Sequence, residues 1–275
     1  MKTIVVPVDF SKKSEYAVKL ASHIAKKSNY EVHLLHMVEL PTGIVDMGAG
    51  SNFSIPESMM YLKKVKEKIA QLGQIFFTED FPLKHAIRFQ NPYEGIIEYA
   101  NKVNASFIVM GSKGVSDFEE ILIGSNTEKV VRTSKIPVIV VKKDPTGFKV
   151  KNIVFASNFK SENKEPFHKL VAFSNEFKSK IHLLKVNTVG KFESSAVSKE
   201  KIRSFLEGFK AGKTTINIYN DFSVVKGVMS FSKEVNADLI ALSTHGRSGL
   251  SHLFNGSIAK NLSKNSLRPL ITFKI

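Results

Sequence analysis

The chain repeats itself, and that repeat limits its fold more than any other feature. Lys2-Thr3-Ile4-Val5-Val6-Pro7-Val8-Asp9-Phe10 answers to Lys151-Asn152-Ile153-Val154-Phe155-Ala156-Ser157-Asn158-Phe159. Val32-His33-Leu34-Leu35-His36 answers to Ile181-His182-Leu183-Leu184-Lys185. Val103 to Gly111 answers to Val235 to Ser243, and Pro137 to Val141 answers to Pro269 to Phe273. One small unit must therefore be built twice. The offset is 149 at Lys2/Lys151 and 132 at Val103/Val235, which reads as loop residues lost from the middle of the second copy. The polar stretch Lys142-Lys143-Asp144-Pro145-Thr146-Gly147 is the seam. Two domains are expected, 1–146 and 147–275. With 275 residues, 43% of them apolar, each half has material for its own core.

Within a copy, apolar runs alternate with helical periodicity. Ile4–Val8 is a near-continuous apolar run, as in a strand buried on both faces. Ala17, Leu20, Ala21 and Ile24 follow at helical spacing. A strand at Val32–Val38, a charged helix near Glu57–Leu72 and a strand near His85–Phe89 come next. Asn91-Pro92 starts a helix, with Asn as cap and Pro in the first turn. Strand Phe107–Met110, a helix near Ser125–Thr133 and strand Val138–Val141 complete the copy. The fold class is α/β: two tandem, doubly wound parallel-sheet domains. Val138–Val141 and Leu270–Phe273 are both apolar and follow a proline. Pairing them would cover two sheet edges, giving an internal pseudo-dimer.

Composition removes several function classes. There is no Cys, so disulfides, thiol catalysis and Cys-based zinc sites are excluded. No apolar run approaches the ~18 residues of a membrane span, so no membrane partner is expected. The apolar run before Asp9 is too short for a signal peptide, and a soluble cytoplasmic protein is expected. The net charge of +15 is uneven: residues 1–146 hold 19 basic against 16 acidic residues, and 147–275 hold 21 against 9. Only 5 of the 40 basic residues are Arg, the usual reader of phosphates and bases, so nucleic acid is not an expected partner. A solvated lysine-rich surface is the preferred reading. His33 and His36 lie on one strand without zinc geometry, and His245 and His252 lie on one loop without a nearby carboxylate cluster, so structural or surface roles are assigned to them.

Ligands of open α/β sheets bind beyond the carboxyl ends of the strands. After the fourth strand the chain reads Gly111-Ser112-Lys113-Gly114, nine residues, then Gly124-Ser125-Asn126-Thr127. Glycines let backbone N–H groups approach an anion, and Gly124-Ser125 opens a helix whose free N–H groups suit phosphate. Ser125 and Thr127 add hydroxyls, and Lys113 adds a point charge. Asp9, at the end of strand one, can accept from a ribose or base, and could hold Mg²⁺ through water. Neither G-x-x-x-x-G-K-[ST] nor a G-x-G-x-x-G after the first strand is present. No Glu, Gln or His is placed by the motif to orient water, so at most weak ATP hydrolysis is expected.

These features together resemble the universal stress protein family. The resemblance spans nearly all of both halves and rests on Ile4-Val5-Val6-Pro7-Val8-Asp9-Phe10-Ser11, on Leu34-Leu35-His36, and on the G-x2-G-x9-G-[ST] motif of its ATP-binding members. It implies an adenine-nucleotide (ATP or AMP) binding stress or signalling module. Pro7, Asp9 and the backbone near Met37 would hold adenosine. Met110, Gly111, Lys113 and Gly114 would line the ribose and phosphate path, and Gly124, Ser125, Asn126 and Thr127 would hold the phosphates. The second copy departs from the motif. Ser243 replaces the first glycine and Asn158 replaces Asp9, while Gly246 and Gly256-Ser257 remain. An empty or weak second pocket is expected, with another anion as the alternative. A slow ATPase and an interaction protein with vestigial pockets remain as alternative functions, and a further homodimer as an alternative assembly. The glycine-bearing loop Leu40–Pro56 is read either as a pocket cover or as a plain connector.

Overall fold

The computed structural model describes residues 1–38, 55–112, 124–244 and 268–275, without the side chains of residues 55–58. The first half runs β1 (Lys2–Pro7), α1 (Lys12–Ala25), β2 (Tyr30–Val38), α2 (Ile55–Phe76), β3 (Leu83–Phe89), α3 (Pro92–Lys102), β4 (Phe107–Gly111), α4 (Ser125–Thr133) and β5 (Val138–Val141). The second runs β6 (Asn152–Ala156), α5 (Lys164–Glu176), β7 (Lys180–Asn187), α6 (Ser195–Leu206), β8 (Thr214–Asn220), α7 (Val224–Glu234), β9 (Leu239–Thr244) and β10 (Leu270–Lys274). The charged helix is longer than expected, because Gln74 to Phe76 continue it past Leu72. The shortening of the second copy is also more than lost loop: α2 has 22 residues and α6 has 12.

The ten described strands form one sheet, in the order β3-β2-β1-β4-β5-β10-β9-β6-β7-β8. Each half is parallel throughout, and the halves meet where β10 pairs antiparallel with β5. The expected joint of the two last strands is therefore present. Ile271 faces Ile139 in register, and both are fully buried. The Thr272 hydroxyl donates to the Val138 carbonyl at 3.3 Å. Lys274 Nζ donates to the Thr133 carbonyl at the end of α4, where a cation also meets the negative end of the helix dipole.

Strand burial follows from apolar cover on both faces. On one face, α1 and α2 share a continuous core with α5 and α6, running from Leu20 and Ile69 to Phe167 and Phe205. Phe107 meets Phe173 edge to face at 5.2 Å across the joint. Tyr30 Oη and Lys2 Nζ both donate to Glu176 of the other half, at 2.9 and 2.7 Å. On the opposite face the cores stay separate, one under α3 and α4 and one under α7. The repeat extends to backbone strain. Phe10 and Phe159 hold φ of 62° and 56°, and Asn104 and Asn236 hold 49° and 48°. Asn tolerates this left-handed turn after a helix. Phe does not, and each such phenylalanine costs of order 1–3 kcal/mol that the surrounding packing must offset.

Candidate functional site

β1 and β4 are neighbours, yet the chain leaves them toward opposite edges of the sheet. A cleft opens at that switch point, beyond their carboxyl ends. It encloses about 150 Å³ and is lined by Pro7, Asp9, Met37, Met110, Gly111, Gly124, Ser125, Asn126 and Thr127. Lys113 and Gly114 lie outside the described residues, as does most of the loop Leu40–Pro56. Sequence reasoning missed Val8, Ser14, Leu35, Pro92 and Ile96, which complete the wall. Pro92 carried a legible signal as a helix start. The others are apolar or capping positions that any buried element would show.

Each polar group is set by local chemistry. Asp9 follows β1, and one of its carboxylate oxygens accepts the Ser11 N–H at 3.0 Å. That bond fixes the turn made by the left-handed Phe10, and the second oxygen has no hydrogen-bond partner among the described residues. Ser11 then caps α1 by accepting from the Ser14 N–H at 3.2 Å. Beneath, His36 Nδ1 donates to the Val8 carbonyl at 2.7 Å, and its ring packs on Phe10 at 4.8 Å. This gives His36 the structural role expected of it. His33 is engaged likewise, 2.9 Å from Tyr99 Oη and 2.6 Å from Glu31. His245 and His252 lie outside the described residues.

The start of α4 is the other half of the cleft. Gly124 is its N-cap with extended backbone and no side-chain cap, so the first-turn N–H groups are left open among the described residues. Ser125 is exposed and Asn126 half-buried, whereas Thr127 is buried. The Thr127 hydroxyl donates to the Gly111 carbonyl at 2.9 Å, which ties α4 to the end of β4. Its proton is thus committed, and what Thr127 can offer an anion is its backbone N–H. Gly111 also differs from its expected use. A Cβ there would stand 2.6 Å from the Lys13 carbonyl carbon and 2.7 Å from its oxygen. The missing side chain lets α1 pack against β4, independently of any ligand approaching. In the second half, where Ser243 takes this place, the helix opens differently. A 3₁₀ turn, Ser161–Asn163, precedes α5, whereas α1 begins directly at Lys12, the counterpart of Ser161.

Gly95 explains the wall near Met37. A Cβ there would overlap the Met37 methyl, so the glycine leaves room for the Met37 side chain between α3 and β2. Gly227 of α7 stands in the same relation to Val186, at 2.6 Å. A glycine inside a helix costs about 1 kcal/mol against alanine, and that cost was the available sign of close packing.

The fold and the repeat agree with what other chains show. The model of the universal stress protein family matches residues 1–142 and 212–274. The chain belongs to the universal stress protein family. Universal stress protein MJ0531 of Methanocaldococcus jannaschii is 34% identical over 148 residues, which is 52% of this chain and 82% of that protein. Universal stress protein MJ0577 of the same organism is 32% identical over 158 residues, 52% of this chain and 95% of that one. A universal stress protein from Archaeoglobus fulgidus shares the fold over the full tandem. The TM-score is 0.73 at 21% identity, covering 99% of this chain and 98% of that one. No described helix of this universal stress protein is long and apolar enough to cross a membrane.

The second half repeats the frame of the site with different contents. Asn158 accepts the Lys160 N–H at 3.1 Å, as Asp9 accepts that of Ser11, and also takes a bond from Asn163 Nδ2 at 2.9 Å. His245, Gly246, Gly256 and Ser257 lie outside the described residues. Lys185 occupies the place of His36. It is buried and bonded to Glu193 and, at 3.1 Å, to Ser198 Oγ. Lys201 joins the same carboxylate at 2.5 Å. The Lys185 ammonium, then that of Lys201, hold the Glu193 carboxyl down at about 2 from 4.5. A depressed carboxyl pKa contributes stability that is present above 4.5 and is lost as pH falls toward 2. Thermal midpoints between pH 5 and 2 should therefore fall less steeply in Glu193→Gln than in the parent. Equal slopes would mean that the ion pairs contribute nothing.

Proposed function

We propose that this universal stress protein binds an adenine nucleotide, ATP or AMP, in the cleft of its first half, and that it works by reporting nucleotide binding within the stress response. One observation carries the reading: the first turn of α4, without a side-chain cap, and an Asp9 oxygen with no partner among the described residues line the same cleft. The open N–H groups and the dipole of α4 suit phosphates. Asp9 suits ribose hydroxyls, and Met37, Pro92 and Ile96 offer apolar contact to a base. Lys113 and Gly114 would join the phosphate path. For Mg²⁺ the described wall offers the single carboxylate of Asp9, so phosphate oxygens and water would complete its shell. We also infer that the domains divide as 1–146 and 147–275.

Calorimetric titration with ATP tests this. Gly124→Val places a branched side chain at the mouth of the helix and should abolish binding. Asp9→Asn keeps an acceptor for Ser11 and should weaken binding about tenfold, because a charged hydrogen bond contributes ~1.5–3 kcal/mol. Asn158→Ala should leave affinity unchanged. Parent-like affinity in Gly124→Val would overturn the site assignment. Loss in Asn158→Ala alone would move the nucleotide to the second half.

A further inference from the structure

The second half contains a cavity of about 990 Å³ at the place of the first half's cleft: its wall holds Asn158, Val186, Leu242 and Ser243, the counterparts of Asp9, Met37, Met110 and Gly111, and continues over α5 and α6. In the first half, Phe10 lies on the His36 ring, and Lys68 Nζ lies over Phe10 at 5.5 Å. That stack fills the space between the start of α1, the end of β2 and α2. In the second half the corresponding Phe159 turns inward, meeting Phe205 at 5.4 Å edge to face. Lys185, in place of His36, is drawn to Glu193 and Ser198. The shorter α6 spans less of the sheet, and the space over the ends of β6, β7 and β9 stays open between α5, α6 and the start of α7. The family match leaves out residues 143–211, which supply most of this wall.

The wall has two chemical parts. Phe159, Val197 and Phe205 provide apolar surface, and Phe192, between the lining residues Lys191 and Glu193, is 70% exposed. Lys160, Lys164, Lys185, Lys191 and Lys201 contribute five positive charges against Glu193 and Glu200. Glu193 is shared by Lys185 and Lys201, and Glu200 is engaged with Arg203 at 3.5 Å. Lys160, Lys164 and Lys191 have no ion-pair partner among the described residues. The Ser243 hydroxyl on the same wall is buried and has no hydrogen-bond partner among the described residues. A cleft with excess charge of one sign focuses its field and draws in the opposite charge. We propose that this cavity binds an amphipathic organic anion, a phosphate or carboxylate head on an apolar chain. The head sits among Lys160, Lys164 and Lys191, and the chain lies on Phe159, Val197 and Phe205. This does not depend on the nucleotide reading of the first half.

Dodecyl phosphate below its micelle concentration is the probe, titrated into the full chain by calorimetry with native mass spectrometry for stoichiometry. One molecule per chain should bind. The triple variant Lys160→Gln, Lys164→Gln, Lys191→Gln changes only exposed side chains and should lose at least tenfold in affinity. Ethyl phosphate and inorganic phosphate should bind at least tenfold more weakly than dodecyl phosphate, and dodecanoate should compete. Gly124→Val should leave dodecyl phosphate binding unchanged, which separates this site from the nucleotide cleft. Absence of saturable binding would overturn the proposal. So would unaltered affinity in the triple variant, equal affinity for ethyl phosphate, or displacement of dodecyl phosphate by one equivalent of ATP.

Discussion

Gly111→Ala is expected to lower the stability of the whole chain by about 3 kcal/mol, a large effect for one methyl group. The added Cβ would meet the Lys13 backbone at 2.6 and 2.7 Å, and backbone in the first turn of a helix cannot step aside as a side-chain end can. α1 would have to lift from β4, and it carries Ala17, Leu20, Ala21 and Ile24 into the shared core. Urea unfolding should show a lower midpoint at unchanged slope. The mirror change, Ser243→Gly, should move stability by less than about 1 kcal/mol, since the second half already accommodates a Cβ behind its 3₁₀ turn. A stable Gly111→Ala that has lost only nucleotide affinity would show that the glycine serves the ligand alone.

Ile271→Asp should leave no folded protein at 25 °C. Ile271 is fully buried at the centre of the joint, opposite Ile139 and beside Ala241. The change removes ~1.5–3 kcal/mol of apolar burial and adds several kcal/mol for an unpaired buried carboxylate. The sum approaches or exceeds the ~5–15 kcal/mol by which a folded domain is held. The damage cannot stay local, because the core on the α1/α5 face crosses the joint through Phe107 and Phe173. Circular dichroism and gel filtration read the outcome. A folded monomer with a parent-like thermal midpoint would mean that β5 and β10 are not joined in solution.

Much of this molecule was written along its sequence. The continuous apolar run Ile4–Val8, the Asn91-Pro92 start and the span Ser125–Thr133 are local signals, and the corresponding elements stand where those signals place them. The repeat itself determined that two five-stranded half-sheets of the same order would form, and the apolar last strands determined how they could join into one sheet. Tertiary structure alone decided what individual groups are used for. Gly111 reads as a place for a ligand to approach until Lys13, 98 positions earlier, is found against it. Thr127 reads as a free hydroxyl until the Gly111 carbonyl is found holding its proton. A second pocket was legible as the counterpart of the first, but its size and lysine-rich wall were not, for the same reason. They go with Lys185 in place of His36, with the inward Phe159 and with a helix of 12 residues in place of 22. Periodicity reports which face of an element is buried. Which atoms meet across elements depends on packing distances of a few tenths of an ångström, and no local pattern in the chain carries those.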